Sequence, residues 1–285
     1  MERFNQKFKI FILVFISLFI QCGDKENNND LILTLLVMPK TSGSNLGPCP
    51  PASLPTEIPV ANTVVTANST VNGFNNSTKA INGICGGGEF SGSLDVYALN
   101  LTGVGATLVL SWAGKTVKNV SGIDFIVYEN PFRISESSDR YAFDPMVVHV
   151  SFNGTDYCGF DLSGFNPSVV DSNKISSWPG FAGLRPTIYN MATKPFTLDE
   201  LFTTVNNDFL LGGGDGFDLN DLIVGGPGTN CDAAARNFIQ TNGFKFIRLV
   251  SASAVNNPNT GSGYVYPHSY DNGPDIDGVV AKSVE

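Results

Sequence analysis

The chain has 285 residues, with 26 acidic against 17 basic side chains and a net charge of −9. An acidic chain lacks the basic patches that nucleic-acid binding requires, and it suits divalent cations or basic partners. Two histidines, His149 and His268, leave little room for histidine-based catalysis, whereas 21 phenylalanines supply core volume without polar atoms to satisfy.

The first element is a charged start followed by an apolar run. Arg3, Lys7 and Lys9 precede Phe11 to Ile20, which carries no charge. A membrane-spanning helix needs ~20 apolar residues, so this run reads as the core of a cleaved secretory signal over residues 1–21. It ends in Leu18-Phe19-Ile20-Gln21-Cys22, then Gly23. That text resembles the lipobox of bacterial lipoproteins, with Phe19 and Gln21 where small residues are usual. The resemblance implies a diacylglyceryl thioether on Cys22, cleavage before it and an acylated N-terminus. Several acyl chains hold a protein on a membrane far better than one. Removing residues 1–21, which carry Glu2 against three basic residues, deepens the net charge to −11.

Residues 22–80 read as a disordered tether. Asp24 to Asp30 is polar, Leu31 to Met38 is a short apolar patch, and Pro39, Pro48, Pro50, Pro51, Pro55 and Pro59 follow among Ser, Thr and Asn. Such composition gives an extended spacer.

Residues 81–285 read as one β-sandwich domain. Strands are expected over Ala106–Trp112, Ile123–Tyr128, Met146–Phe152, Phe244–Val250 and Asp275–Ala281. In Met146–Phe152, Val148, Val150 and Phe152 share one face, and Val147, His149 and Ser151 share the other, which reads as exposed. Asn153-Gly154 reads as a two-residue type I′ hairpin turn. Two short helices are expected, over Leu198–Val205 and Asp232–Gln240. Many strands, few helices and frequent turn residues argue an all-β antiparallel sandwich.

Cysteine usage fits export. With Cys22 assigned to lipid, Cys49, Cys85, Cys158 and Cys231 remain. Four cysteines allow three pairings, and spacing does not choose among them; Cys49–Cys85 with Cys158–Cys231 is the working expectation, with free buried thiols as its alternative. No CxxC pair supports a structural zinc site.

Five motifs then occur in order: Asp124-Phe125-Ile126-Val127-Tyr128-Glu129-Asn130-Pro131, Val148-His149-Val150-Ser151-Phe152-Asn153-Gly154, Gly214-Asp215-Gly216-Phe217-Asp218-Leu219, Phe246 to Val250, and Gly273-Pro274-Asp275-Ile276-Asp277-Gly278-Val279. Together they resemble a poorly characterised group of bacterial surface proteins, leptospiral lipoproteins among them. That group reads D-F-x-V-x-E-N-P, V-x-V-S-x-D-G, G-D-x-F-D-L and G-F-D-L-D-A-V. Here Asn153 replaces the usual Asp, and Asp275-Ile276-Asp277-Gly278 replaces D-L-D-A. The resemblance spans about residues 85–285. It implies a galactose-binding-like jelly roll at the cell surface.

Carboxylates mark the candidate chemistry. Asp124 and Glu129 bracket one strand, Asp215, Asp218 and Asp221 follow Gly212-Gly213-Gly214, and Asp271, Asp275 and Asp277 lie near the end. Ca²⁺ takes six to eight oxygens, and Gly-rich loops free carbonyls to serve. The expected cofactor is therefore one Ca²⁺ held by Asp124 or Glu129 with Asp215, Asp218, Asp275 and Asp277. The alternative is that these side chains hold local turns. No EF-hand loop, G-x-S-x-G elbow or P-loop is present. Aromatics mark a second candidate, a ligand surface of Trp178, Tyr264, Tyr266 and Tyr270; the alternative is a loop that buries its rings in the core.

The functional expectation is a membrane-anchored, adhesin-like interaction protein meeting host or envelope proteins or glycans, without enzyme activity. A carbohydrate-binding module is the second reading. A glycoside hydrolase, with paired carboxylates, is the third.

Overall fold

The computed structural model describes residues 49–165, 172–206, 209–264 and 273–285. Cys22, the signal, residues 22–48 of the expected tether, Tyr266, Tyr270, His268 and Asp271 lie outside them. Among the described residues the strands are β1 (Thr63–Ala67), β2 (Tyr97–Ala98), β3 (Thr107–Ser111), β4 (Phe125–Tyr128), β5 (Phe132–Arg133), β6 (Tyr141–Ala142), β7 (Met146–Ser151), β8 (Cys158–Gly159), β9 (Asp215–Phe217), β10 (Phe246–Ser251), β11 (Asp275–Ile276) and β12 (Gly278–Ala281). Two α-helices accompany them, α1 (Leu198–Leu201) and α2 (Ala233–Asn242).

All pairings between these strands are antiparallel. One sheet runs β1-β3-β10-β7-β8, and a second runs β12-β4-β9; β11-β2 and β5-β6 are short ribbons. The two larger sheets share a core. Leu108, Leu110, Val148, Val150, Ile247 and Leu249 of the first meet Phe125, Val127, Phe217, Val279 and Ala281 of the second. Phe125 sits at the middle, stacked on Phe217 at 5.3 Å and edge-on to Phe244 at 5.2 Å. This is a β-sandwich-like arrangement, as the strand pattern predicts.

Both sheets are also covered on their outer faces. Val147 of β7 and Val250 of β10, paired across the strands, join Tyr141, Phe143, Trp178, Phe181 and Tyr264 in a second cluster. Ile126 and Tyr128 of β4 and Val280 of β12 join Tyr189, Leu201 and Leu210 in a third. Strands buried on both faces read as apolar runs, which accounts for the text of β4, Phe-Ile-Val-Tyr, all four residues buried.

Four sequence expectations are corrected here. The sandwich begins well before residue 81. Ile58, Val60 and Ala61 are buried, and β1 adds itself to the edge of β3. Val60, Ala61, Val64 and Ala67 provide enough apolar surface to pack, which a proline count hides. The Asn153-Gly154 turn is not type I′, which needs positive φ at both residues. Gly154 has φ 80, but Ala113 is the only non-glycine residue with positive φ among the described residues. Instead Asn153 Oδ1 accepts the amides of Thr155 and Asp156, both at 2.9 Å, and closes a longer loop between β7 and β8. The expected strand Asp275–Ala281 breaks at Asp277, where the chain leaves β2 and crosses to β4. His149 is fully buried rather than exposed.

The helices start where expected. Thr197 and Glu200 form a capping box at α1, and the Asp232 side chain accepts the Ala235 amide at α2. Helix α2 ends at Gly243, whose φ of 88 stops it. Helix α1 is a single turn.

Candidate functional site

The acidic residues singled out in the sequence do not gather in one place. Most are turned toward backbone amides, spread over several loops. Asp124, at the start of β4, is fully buried; Oδ1 accepts the Val120 amide at 2.6 Å and Oδ2 the Leu219 amide at 2.7 Å. Burial raises its pKa from 3.8 to about 6, the nearby Asp218 charge adds to this, and the two amides oppose it. Asp215, in β9, accepts the Leu184 amide at 2.8 Å and pairs with Arg185 Nη1 at 2.8 Å. Its pKa is also raised by burial, against the pull of Arg185. Asp277 presents both oxygens to the Cys85 amide, at 2.9 and 3.1 Å, and burial drives its pKa well up. Asp218 caps a 3-10 turn by accepting the Asn220 amide at 2.8 Å. Asp124, Asp215 and Asp277 therefore act as struts between loops, and Asp218 caps its own turn. This is the local-backbone role of turn carboxylates, extended over long sequence separations.

The glycines before Asp215 serve the same packing. A Cβ on Gly213 would lie 1.9 Å from the Pro186 carbonyl oxygen, and one on Gly214 would lie 2.8 Å from Ile126 and Tyr128. Both have φ above +70°, so only glycine lets the chain pass this close.

Glu129 and Asp275 do come together, joined by a residue that the sequence reading missed. Glu129 follows β4, Asp144 precedes β7, and Asp275 opens β11. One carboxylate oxygen from each lies within 4.8 Å of the others. Glu129 Oε1 accepts the Asp275 amide at 2.8 Å, while Oε2 is buried and has no hydrogen-bond partner. The Glu129 pKa is pushed well up, first by burial and then by the negative charges of Asp144 and Asp275. The signal for Asp144 was Asp144-Pro145 just ahead of a strand, but nothing in its spacing ties it to Glu129. The fold does that: Met146 pairs with Ala182, which brings the Asp144 carbonyl against Gly183.

Two of the four aromatic candidates, Trp178 and Tyr264, are core residues. Trp178 is 0% exposed and Tyr264 2% exposed. Trp178 Nε1 donates to the Ser172 carbonyl at 2.9 Å. Phe143, Phe165 and Phe181 meet the Trp178 ring edge-on at 4.7–5.9 Å. Neither Trp178 nor Tyr264 offers an exposed ring face for ligand stacking. Beside them lies a cleft of about 910 Å³ that includes Arg185, Phe209, Asp215 and Phe217 in its walls.

His149 is a further buried polar residue. Nε2 lies 2.9 Å from the Pro227 carbonyl, and Nδ1 accepts from Arg248 Nε at 3.1 Å. That pattern fixes the neutral tautomer with the proton on Nε2. Burial and the Arg248 charge lower its pKa to about 3. Arg248 in turn stacks on Tyr157 at 4.1 Å and donates to the Gly228 carbonyl at 2.7 Å. This group ties β7 and β10 to the 227–228 loop.

Asp124 makes a pH prediction. Its pKa is about 6 when folded and 3.8 as an ordinary carboxylate, so the folded state binds the extra proton between those values. The stability it contributes is full below pH 3.8 and is lost as pH rises through 6. An Asn at this position keeps one carbonyl oxygen and turns an amide toward a second N–H, leaving a buried donor unpaired at about 1–3 kcal/mol. In chelator, the gap in urea midpoint between the wild type and Asp124→Asn is expected to widen in favour of the wild type as pH falls from 7 to 4. A constant or narrowing gap contradicts this.

No protein-family model, curated protein or solved structure matches this chain.

Proposed function

We propose that the chain is an exported lipoprotein, anchored through Cys22, whose β domain is a galactose-binding-like jelly roll used for adhesin-like contacts at the cell envelope. The observation that carries the reading is the pair of disulfides, Cys49–Cys85 and Cys158–Cys231. Paired cysteines belong to oxidising compartments. They are the same four that remain once Cys22 is assigned to lipid. The charged start and short apolar run ahead of Cys22 supply the route out of the cytoplasm. Among the described residues no helix is long and apolar enough to cross a membrane; this reading assigns attachment to the lipid on Cys22. Two core clusters flank the shared one, and each outer layer stiffens a sheet face. That suits a binding scaffold whose loops make the contacts.

The test is metabolic labelling with an alkyne fatty acid, followed by protease treatment of intact cells. Label on the wild type, loss of label in Cys22→Ser, and digestion of the domain from outside are the expected results. An unlabelled protein, or one protected in intact cells, removes the surface reading.

A carbohydrate-binding role is the second reading, and the cleft beside Arg185 and Asp215 favours it. Its volume accommodates a small saccharide, and it offers a charged pair and the aromatic edges of Phe209 and Phe217. Binding on a glycan array would support this reading.

A further inference from the structure

We propose that Glu129, Asp144 and Asp275 form a binding site for one calcium ion. Three elements that are distant in sequence deliver the three carboxylates to one point, within 4.8 Å of one another. Proximity of acidic groups is common on surfaces; the Glu129 carboxylate is different. It is 2% exposed, its Oε1 is engaged by the Asp275 amide, and its Oε2 is buried with no hydrogen-bond partner among the described residues, while the Asn130 amide nearby also favours the charged carboxylate. Buried polar atoms are almost always paired, and one that is not points to a bound water or ion. Among the described residues, the charges that raise the Glu129 pKa are those of Asp144 and Asp275, each of which has further interactions of its own. A cation is a partner that satisfies Oε2.

The surroundings suit this. Gly183, with φ 80, lies against the pair: a Cβ there would be 2.5 Å from the Asp144 carbonyl oxygen and 3.4 Å from Glu129 Cγ. Glycine thus keeps this loop close to Asp144 and Glu129. The Thr187 hydroxyl, bonded to the Glu129 carbonyl at 2.5 Å, holds the backbone of Glu129 in place.

The donor chemistry selects the ion. All three groups are hard oxygens, with no histidine or cysteine among them, so zinc is disfavoured. Calcium binds oxygen at about 2.3–2.6 Å, so oxygens on opposite sides of it are roughly 5 Å apart; magnesium, at about 2.0–2.1 Å, draws them to roughly 4 Å and demands octahedral geometry. Separations within 4.8 Å fall inside a calcium coordination sphere, and carboxylates from three separate segments suit the ion that tolerates irregular geometry. Of the six carboxylates expected to serve calcium, this site keeps Glu129 and Asp275 and adds Asp144; Asp124, Asp215 and Asp277 remain struts and Asp218 a turn cap. It rests on geometry alone and is independent of the lipid anchor.

Calorimetry and thermal melting of the full-length, disulfide-bonded chain in detergent, stripped with EDTA and titrated with CaCl₂ or MgCl₂ at pH 7.5, test it. One saturable calcium site and a rise in melting temperature are expected, with magnesium at least tenfold weaker. Asp144→Asn, which keeps size and shape, is expected to weaken calcium at least tenfold while its metal-free circular dichroism matches the wild type. Should Asp144→Asn fail to fold, Glu129→Gln replaces it: the amide carbonyl still accepts the Asp275 amide. The proposal is overturned if the wild type shows neither heat nor a melting shift with millimolar calcium, if magnesium binds as tightly, or if a folded variant binds as the wild type does.

Discussion

Replacing Trp178 with alanine is expected to destabilise the protein by about 3–5 kcal/mol, the range for deleting a buried large aromatic side chain. Trp178 is fully enclosed, with Phe143, Phe165 and Phe181 packed edge-on around it. Phe165 and Phe181 also pack edge-on against Tyr264, at 4.9 and 5.1 Å. Removing the indole leaves a hole among three rings and takes away the Nε1–H that the Ser172 carbonyl accepts. Trp178→Phe keeps most of the ring and loses the hydrogen bond, so it is expected to cost less than half as much. A urea midpoint series on both variants reads the difference. A loss below about 1 kcal/mol in Trp178→Ala would mean that the ring is not part of the core. The prediction also separates two roles that the same residue can play. A tryptophan that stacks on a ligand loses binding and little stability when truncated. Here the ring faces are enclosed, and the expected loss is in folding.

How far the sequence shows this depends on the kind of question. Strand positions were legible, since β3, β4, β7 and β10 fall inside or within one residue of the predicted runs. Period-two alternation in Met146–Phe152 correctly puts Val148 and Val150 on one face. It does not say whether the opposite face is covered. His149 lies on that face, and polarity alone suggests water. The structure covers it with the 227–228 loop and satisfies both ring nitrogens. Burial of a polar residue depends on partners 78 and 99 residues away, and no local pattern carries that information.

The carboxylates show the same divide. Asp275 and Asp277 sit two apart, which on a continuous strand gives a shared face. The chain changes neighbours at Asp277, from β2 to β4, so Asp275 turns to Glu129 and Asp277 to the Cys85 amide. A sheet switch is a tertiary event, and Gly278 is its only local trace: its φ is 157, and a Cβ there would be 2.7 Å from Ile84. Asp144 is the plainest case. It joins Glu129 only because its loop is held against Gly183. Acidic composition suggests cation binding only in general terms, and which carboxylates meet is set by loop packing.

Loss of the Cys158–Cys231 bridge is expected to cost about 4 kcal/mol, by the loop-closure entropy of its 73-residue separation. The bridge joins edge strand β8 to the residue just before the Asp232 cap of α2. Helix α2 packs through Ile239 against the shared core, so the bridge fixes an element that has few other buried side chains. The Cys49–Cys85 bridge spans 36 residues, and halving a loop changes the entropy by only ~0.6 kcal/mol. Double alanine variants at each pair are therefore expected to lose similar amounts, slightly more at Cys158 and Cys231. Chemical unfolding of each, with and without dithiothreitol, measures this. Reduced wild type should unfold at a lower midpoint than either variant left oxidised. An unchanged midpoint on reduction would show that the bridges are not structural. A domain is typically stable by about 5–15 kcal/mol. Two bridges at ~4 kcal/mol each then account for much of that margin. On this arithmetic the sandwich depends on an oxidising compartment for its stability as well as tolerating one. Under the export proposed above, stable folding would follow translocation, and a lipid on Cys22 would hold the chain at the membrane while the bridges close.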